Sequence, residues 1–299
     1  MGILIAVDVS PASNYVVAEA AARPWPVGSE FSVIHVVDQG HFAYHSVLVD
    51  AAKREGEILV KAAADRLSCA GHKSHTEVVL GAPRSSISDF AKQRKADLVM
   101  VGARGQDALA HFLLGSVAQE TLRMAPCSVE IVRPSPSGKP ASYHAIKILL
   151  ATDGSEFSNA AAKSVARRPW PAGSQIRILS VEDPPVFQYT GDASSLSPVY
   201  PASLPQELLD NACKRAKEAV ETARKIFMAA ALKPLENKTA PIGNVRVLIL
   251  DLAKEWEADL IVVGSHGRRG LDRLIMGSVS ESVAIYAHCS VVVVRSWQK

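Results

Sequence analysis

The residues best spaced for chemistry in this sequence are glycines and serines, not acid–base pairs. Gly264-Ser-His-Gly267 is followed by nine residues and then Gly277-Ser278; Gly102-Ala-Arg-Gly105 is followed by nine residues and then Gly115-Ser116. Each pattern comes directly after an apolar run, Leu260–Val263 or Leu98–Val101. Glycines let a main chain turn tightly and approach a ligand without a Cβ in the way. A Gly-Ser that opens a helix presents unpaired N–H groups and the positive end of the helix dipole, a setting for phosphate. Arg268 and Arg269 follow the second glycine, and a guanidinium fork suits phosphate oxygens. The same residues also make ordinary turns and caps, and a solvated charged face explains the arginines equally well. Neither Gly-x4-Gly-Lys-Ser/Thr nor Gly-x-Gly-x2-Gly occurs, so this is not a Walker loop or a dinucleotide fingerprint.

Other chemistry is poorly supported. No Ser-His-Asp arrangement, HExxH or GxSxG appears, and no residue is assigned a catalytic role. His41 with His45, and His72 with His75, have no acidic or cysteine partners in a metal-binding pattern, so no metal site is expected. His35 reads as a strand residue. Cys127 and Cys289 precede apolar strands and read as packing thiols.

The elements that position the glycine loops are written twice. Residues 3–38 align with 148–183 at an offset of 145 without a gap, and 16 of the 36 positions are identical, including Arg23-Pro-Trp-Pro26 and Arg168-Pro-Trp-Pro171. The glycine loops and the Cys-Ser-Val segments after them repeat at an offset of 162. The second copy has therefore gained 17 residues, within a Pro/Ser-rich stretch at 184–206 that reads as a loop or a lid bearing Phe187, Tyr189 and Tyr200. Each copy reads strand, Ala-rich helix stopped by Pro-Trp-Pro, strand, long helix, strand, helix, apolar strand, helix, strand. Alternating strands and helices imply a parallel sheet with helices on both faces. The expectation is two doubly wound α/β domains of five strands each, residues 1–134 and 146–299, with a linker at 135–145. The closing strands, Ser128–Val132 and Ser290–Val294, are expected to pair across the copies.

Length and composition agree. The chain has 299 residues, 48% apolar and 21% charged, with a net charge of +3, which excludes a disordered chain and gives no concentrated basic face for nucleic acid. No run approaches a membrane span. The opening Met-Gly-Ile-Leu-Ile-Ala-Val-Asp reads as a first strand and not a signal peptide, and four cysteines without CxxC spacing fit a reducing cytoplasm.

The two loops, together with Ala151-Thr-Asp153-Gly154-Ser155 after an opening strand, its weaker counterpart Ala6-Val-Asp8-Val9-Ser10, and the closing Cys127-Ser-Val and Cys289-Ser-Val, resemble the universal stress protein family in its ATP-binding branch. The resemblance covers nearly the whole chain in two units and implies Rossmann-like domains, cytoplasmic stress-response regulation and ATP as ligand, with Mg²⁺ accompanying it. It implies Asp8 and Asp153 beside adenine or ribose, and main-chain groups of Val36 and Val181 at the adenine edge. It implies Gly102, Gly105, Gly115, Ser116 and Val117 on ribose and phosphates in copy one, and Gly264, His266, Gly267, Gly277, Ser278 and Val279 in copy two; beside these, the residues themselves offer Arg268 and, in the place of His266, Arg104 as cations for the phosphates. A homodimer and a regulatory protein partner of unknown identity belong to the same implication. Turnover is expected to be slow or absent, since neither copy has a Walker lysine or an obvious carboxylate base. Copy two, with Gly154 and Arg268-Arg269 where copy one has Val9 and Gln106-Asp107, is expected to bind more tightly.

Overall fold

The computed structural model describes residues 1–42, 45–104, 114–134, 145–182, 206–235, 238–240, 243–268 and 276–295. Gly105, Phe187, Tyr189, Tyr200, Arg269 and all but one of the residues of the expected linker lie outside these.

The first half runs β1 (Gly2–Ala6), α1 (Pro11–Ala22), β2 (Glu30–Val37), α2 (Ser46–Cys69), β3 (Ser74–Leu80), α3 (Pro83–Gln93), β4 (Leu98–Gly102), α4 (Ser116–Met124) and β5 (Ser128–Val132). The second runs β6 (Lys147–Ala151), α5 (Glu156–Ala166), β7 (Gln175–Val181), α6 (Gln206–Ala229), β8 (Lys238–Ala240), α7 (Val245–Glu255), β9 (Leu260–Gly264), α8 (Ser278–Tyr286) and β10 (Ser290–Val294). Proline shapes α1 at both ends: Pro11 opens its first turn, where no N–H is needed, and the helix stops just ahead of Pro24. The tryptophan between the two prolines folds back, so that Trp25 Nε1 donates to Ala20 O at 2.8 Å and Trp170 Nε1 to Val165 O at 2.9 Å.

The strands lie in the order β3-β2-β1-β4-β5-β10-β9-β6-β7-β8. All neighbours are parallel except β5 and β10, which pair antiparallel with Val291, Val292 and Val293 opposite Ile131, Glu130 and Val129. The two parallel sheets of five strands therefore join edge to edge through their closing strands into one sheet of ten. Joining removes the exposed edge each half would otherwise present. One apolar cluster runs through both halves, from Leu4 and Val101 to Val263 and Val293, while each half keeps its own cluster on the opposite face.

The join is reinforced on both faces. On one, Arg133 reaches the carbonyls of Ala284 (2.6 Å) and Ile285 (3.2 Å) at the end of α8, and Arg295 reaches those of Leu122 (3.1 Å) and Arg123 (2.7 Å) at the end of α4. Each half thus caps the carboxyl end of the other's helix with a cation. Burial pushes Arg133 down to about 10. On the other face the two Arg-Pro-Trp-Pro segments meet over β5. Arg23 binds Glu130 with both nitrogens, at 2.8 and 2.7 Å, and Glu19 at 2.9 Å, while Arg168 stands 3.9 Å from Glu130. All four side chains are buried.

Candidate functional site

In each half the chain reverses direction across the sheet between its first and fourth strands, since β1 lies between β2 and β4, and β6 between β7 and β9. Ligands of open α/β sheets bind outside the carboxyl ends of the strands at this switch. The ends of β1 and β4 carry Asp8 and Gly102; those of β6 and β9 carry Asp153 and Gly264. The structure therefore brings each carboxylate to the same crevice as its glycine loop.

The first glycine of each loop has a packing reason. A Cβ on Gly264 would lie 2.7–2.8 Å from the backbone of Phe157 and Ser158, and one on Gly102 would lie 2.8 Å from Ala12 Cβ. The first helix of each half thus starts hard against the end of the fourth strand. Ahead of α8, Gly277 N–H donates to Ser265 O at 2.9 Å; ahead of α4, Gly115 N–H donates to Ala103 O at 2.8 Å. These bonds aim each helix at the crevice. Neither helix has a side-chain cap at its N-terminus. Ser116 and Ser278 are exposed in the first helical position, while Val117 and Val279 turn their side chains onto the apolar cluster, leaving only main-chain groups for a ligand.

The valines at the second-strand ends also act through the main chain. The last rung between β1 and β2 is Val7 N–H to Ile34 O, and that between β6 and β7 is Thr152 N–H to Leu179 O, both 2.9 Å. Backbone groups alternate sides along a strand. Val36 and Val181, two residues further on, therefore direct their N–H and C=O to the same side, past the ends of β1 and β6 and toward Asp8 and Asp153. Beside Val36, the His35 ring donates Nδ1–H to Val7 O at 2.8 Å and fits under α2 only because Gly56 has no side chain; a Cβ there would come within 2.6 Å of the ring.

The two carboxylates are held differently. Asp8 Oδ1 accepts from Ser10 N–H at 3.0 Å, from the Ser10 hydroxyl and from Ser13 Oγ at 2.7 Å, a turn that secures the start of α1. Asp153 Oδ1 accepts from Ser155 N–H at 3.0 Å, and its Oδ2 accepts from Arg268 N–H at 2.8 Å across the crevice. Burial would raise the Asp153 carboxyl, yet the hydrogen bonds from Ser155, Arg268 and Ser158 together hold it below the usual carboxylate value. Gly154 takes φ +79°, a conformation that Val9 at the equivalent position does not adopt, so the turn differs between the halves.

Two residues at this site gave no signal in the sequence. Glu182, directly after β7, accepts from the Arg268 guanidinium at 2.8 Å, and its other oxygen accepts from Arg215 Nε of α6 at 3.2 Å. Arg268, which the sequence leaves between a phosphate clamp and a solvated charged face, thus lies across the end of β6 already bound to a carboxylate. His266 is likewise turned inward: it is buried, 3.0 Å from Ser265 Oγ through Nδ1, with its ring 4.9 Å from that of Phe157. Arg104, two residues past β4, is half-buried. Cys127 and Cys289 are buried and pushed up to about 12, which makes them inert packing groups. Among the described residues there is no cluster of His, Cys, Asp or Glu able to hold a metal ion and no helix long and apolar enough to cross a membrane.

This architecture matches the Universal stress protein family twice, over residues 1–133 and 146–295. The chain belongs to the universal stress protein family. A universal stress protein of Mycobacterium tuberculosis is 29% identical over 229 residues, covering 74% of this chain and 68% of that one. One of Methanocaldococcus jannaschii is 33% identical over 125 residues, covering 38% of this chain and 74% of its own. The crystal structure of a universal stress protein from Archaeoglobus fulgidus superposes with a TM-score of 0.66 at 20% identity, over 98% of this chain and 96% of that one, a likeness of fold across both halves. This chain is a tandem universal stress protein with two unlike switch-point crevices.

Proposed function

We propose that this tandem universal stress protein is a cytoplasmic regulator in the stress response that binds an adenine nucleotide, ATP with Mg²⁺, at each switch-point crevice. The observation that carries this reading is the convergence, in both halves, of an uncapped helix N-terminus with an open main-chain edge at the neighbouring strand end. The N–H groups of Ser116 and Val117, and of Ser278 and Val279, would hold phosphate oxygens. Val36 and Val181 offer a donor and an acceptor side by side, the pattern an adenine edge requires. Asp8 and Asp153 lie between, placed for ribose hydroxyls. The magnesium would enter bound to the phosphates, the usual arrangement for this ion at a nucleotide site.

Slow or absent hydrolysis belongs to this reading, because neither loop carries a Walker lysine or an obvious carboxylate base in its sequence. Calorimetry of nucleotide-stripped protein with Mg·ATP tests the binding, and saturable heat is expected. Absence of heat and of any thermal shift at millimolar ATP sinks the reading. It would favour a second one, in which the glycines are kept for the packing seen at Gly102 and Gly264 and the chain is an assembly module.

A further inference from the structure

Among the described residues, the buried charges at the join balance only when unlike halves meet. Glu130 and Val292 face each other across the antiparallel pair, so both point to the α1/α5 side of the sheet. They are also equivalent positions of the repeat, as are Arg23 and Arg168. Arg23 and Arg168 both reach this point, and the Arg23 guanidinium lies 5.4 Å from the Trp25 ring and 6.0 Å from Trp170. Among the described residues, copy one brings Glu19, Arg23 and Glu130 and copy two brings Arg168, with Ser164 and Val292 where the acids stand in copy one. Among the described residues these make two cations and two anions, all buried.

A pair of copy-one halves docked the same way would bury four acids against two arginines. A pair of copy-two halves would bury two arginines with no acid. Uncompensated charge in a dry interface costs several kcal/mol per ion, about an order of magnitude above RT. We propose that Glu130 is the residue that sets pairing specificity: the closing edge of copy two docks only on a partner edge that carries a carboxylate opposite Val292, which is copy one. Like-with-like association through this edge is excluded, and a second chain would have to associate through another surface or by exchanging unlike halves. The join pairs in this way with or without a nucleotide.

Moving the carboxylate across the axis tests it. Full-length chains carrying Glu130→Val, Val292→Glu and both changes are compared by thermal unfolding. Each single change upsets the balance and should lower Tm, on the order of 5–10 °C for a broken buried pair in domains of this size. The double variant again has two acids and two arginines at the join and should recover more than half of the larger loss. Recovery of less than half, or a Glu130→Val chain as stable as the parent, overturns the proposal. If Glu130→Val does not fold, a folded, soluble double variant supports it and an unfolded one overturns it.

Discussion

A single methyl group is enough to test how tightly the crevice is built. Gly264→Ala would place a Cβ against the Phe157 carbonyl and the Ser158 nitrogen, backbone atoms that cannot rotate away. We expect a loss of about 1–3 kcal/mol in urea unfolding, the usual cost of overpacking; an unchanged midpoint would mean that α5 shifts freely on β9. Asp153 gives a pH signature. Its folded carboxyl titrates below the unfolded value of about 3.9, so its contribution to stability is present above that value and lost as pH falls through the folded pKa. Asp153→Asn should therefore cost about 1–2 kcal/mol at pH 7, and the gap between variant and parent should close below about pH 4. A gap that persists to pH 2 would show that the carboxylate charge is not what the Ser155 and Arg268 N–H groups stabilise.

Between elements, the decisive contact is the ion pair that joins the loop after β9 to the end of β7 and, through Arg215, to α6. Arg268 is about a third exposed and Arg215 about half, so these pairs add little stability. They matter as competition, because a polyphosphate near α8 must share Arg268 with Glu182. Glu182→Gln should tighten ATP binding in copy two by about threefold, a difference below 1 kcal/mol. The gain should shrink at high salt. Calorimetry in a Gly115→Val background, which places a branched side chain at the α4 N-terminus, isolates copy two; weaker binding after Glu182→Gln would assign the carboxylate to the ligand instead of to Arg268. The pairing also tempers the expected advantage of copy two, since one of its two extra cations is already satisfied. The Gly154 turn remains as the backbone difference in its favour.

At the scale of the molecule, the ten-stranded sheet behaves as two halves fastened by reciprocal parts. Arg133 and Arg295 occupy equivalent positions and cap each other's partner helices. Arg133→Ala and Arg295→Ala should each lower stability by about 1–2 kcal/mol, the worth of charged hydrogen bonds at a helix carboxyl end. Solution scattering should show the same loosening of the halves for both. If only one change has an effect, the join does not have the two-fold character that the backbone shows.

Much of this protein was legible in its sequence because local rules dominate there. The duplicated glycine spacing, the proline that ends α1, the apolar runs of β4 and β9 and the bounds of the closing strands follow from short-range periodicity and turn chemistry, which act wherever the segment lies. The glycine pattern also marked the crevice, since close backbone approach leaves a residue-type signature. What the sequence left open depends on residues far apart in the chain. Glu182 and Arg268 are 86 positions apart and Arg23 and Glu130 are 107 apart, so nothing local announces either pair. The pairing of the closing strands was expected from their apolar edges, but the role of the one charged residue in Ser-Val-Glu-Ile-Val was decided only by the tertiary structure, because the antiparallel register of β5 on β10 brings two copies of Arg-Pro-Trp-Pro over one carboxylate. Whether a cation is free for a ligand or already bound is likewise a property of packing: it is set by which chain segments the fold places within a few ångströms, and no spacing rule carries that information.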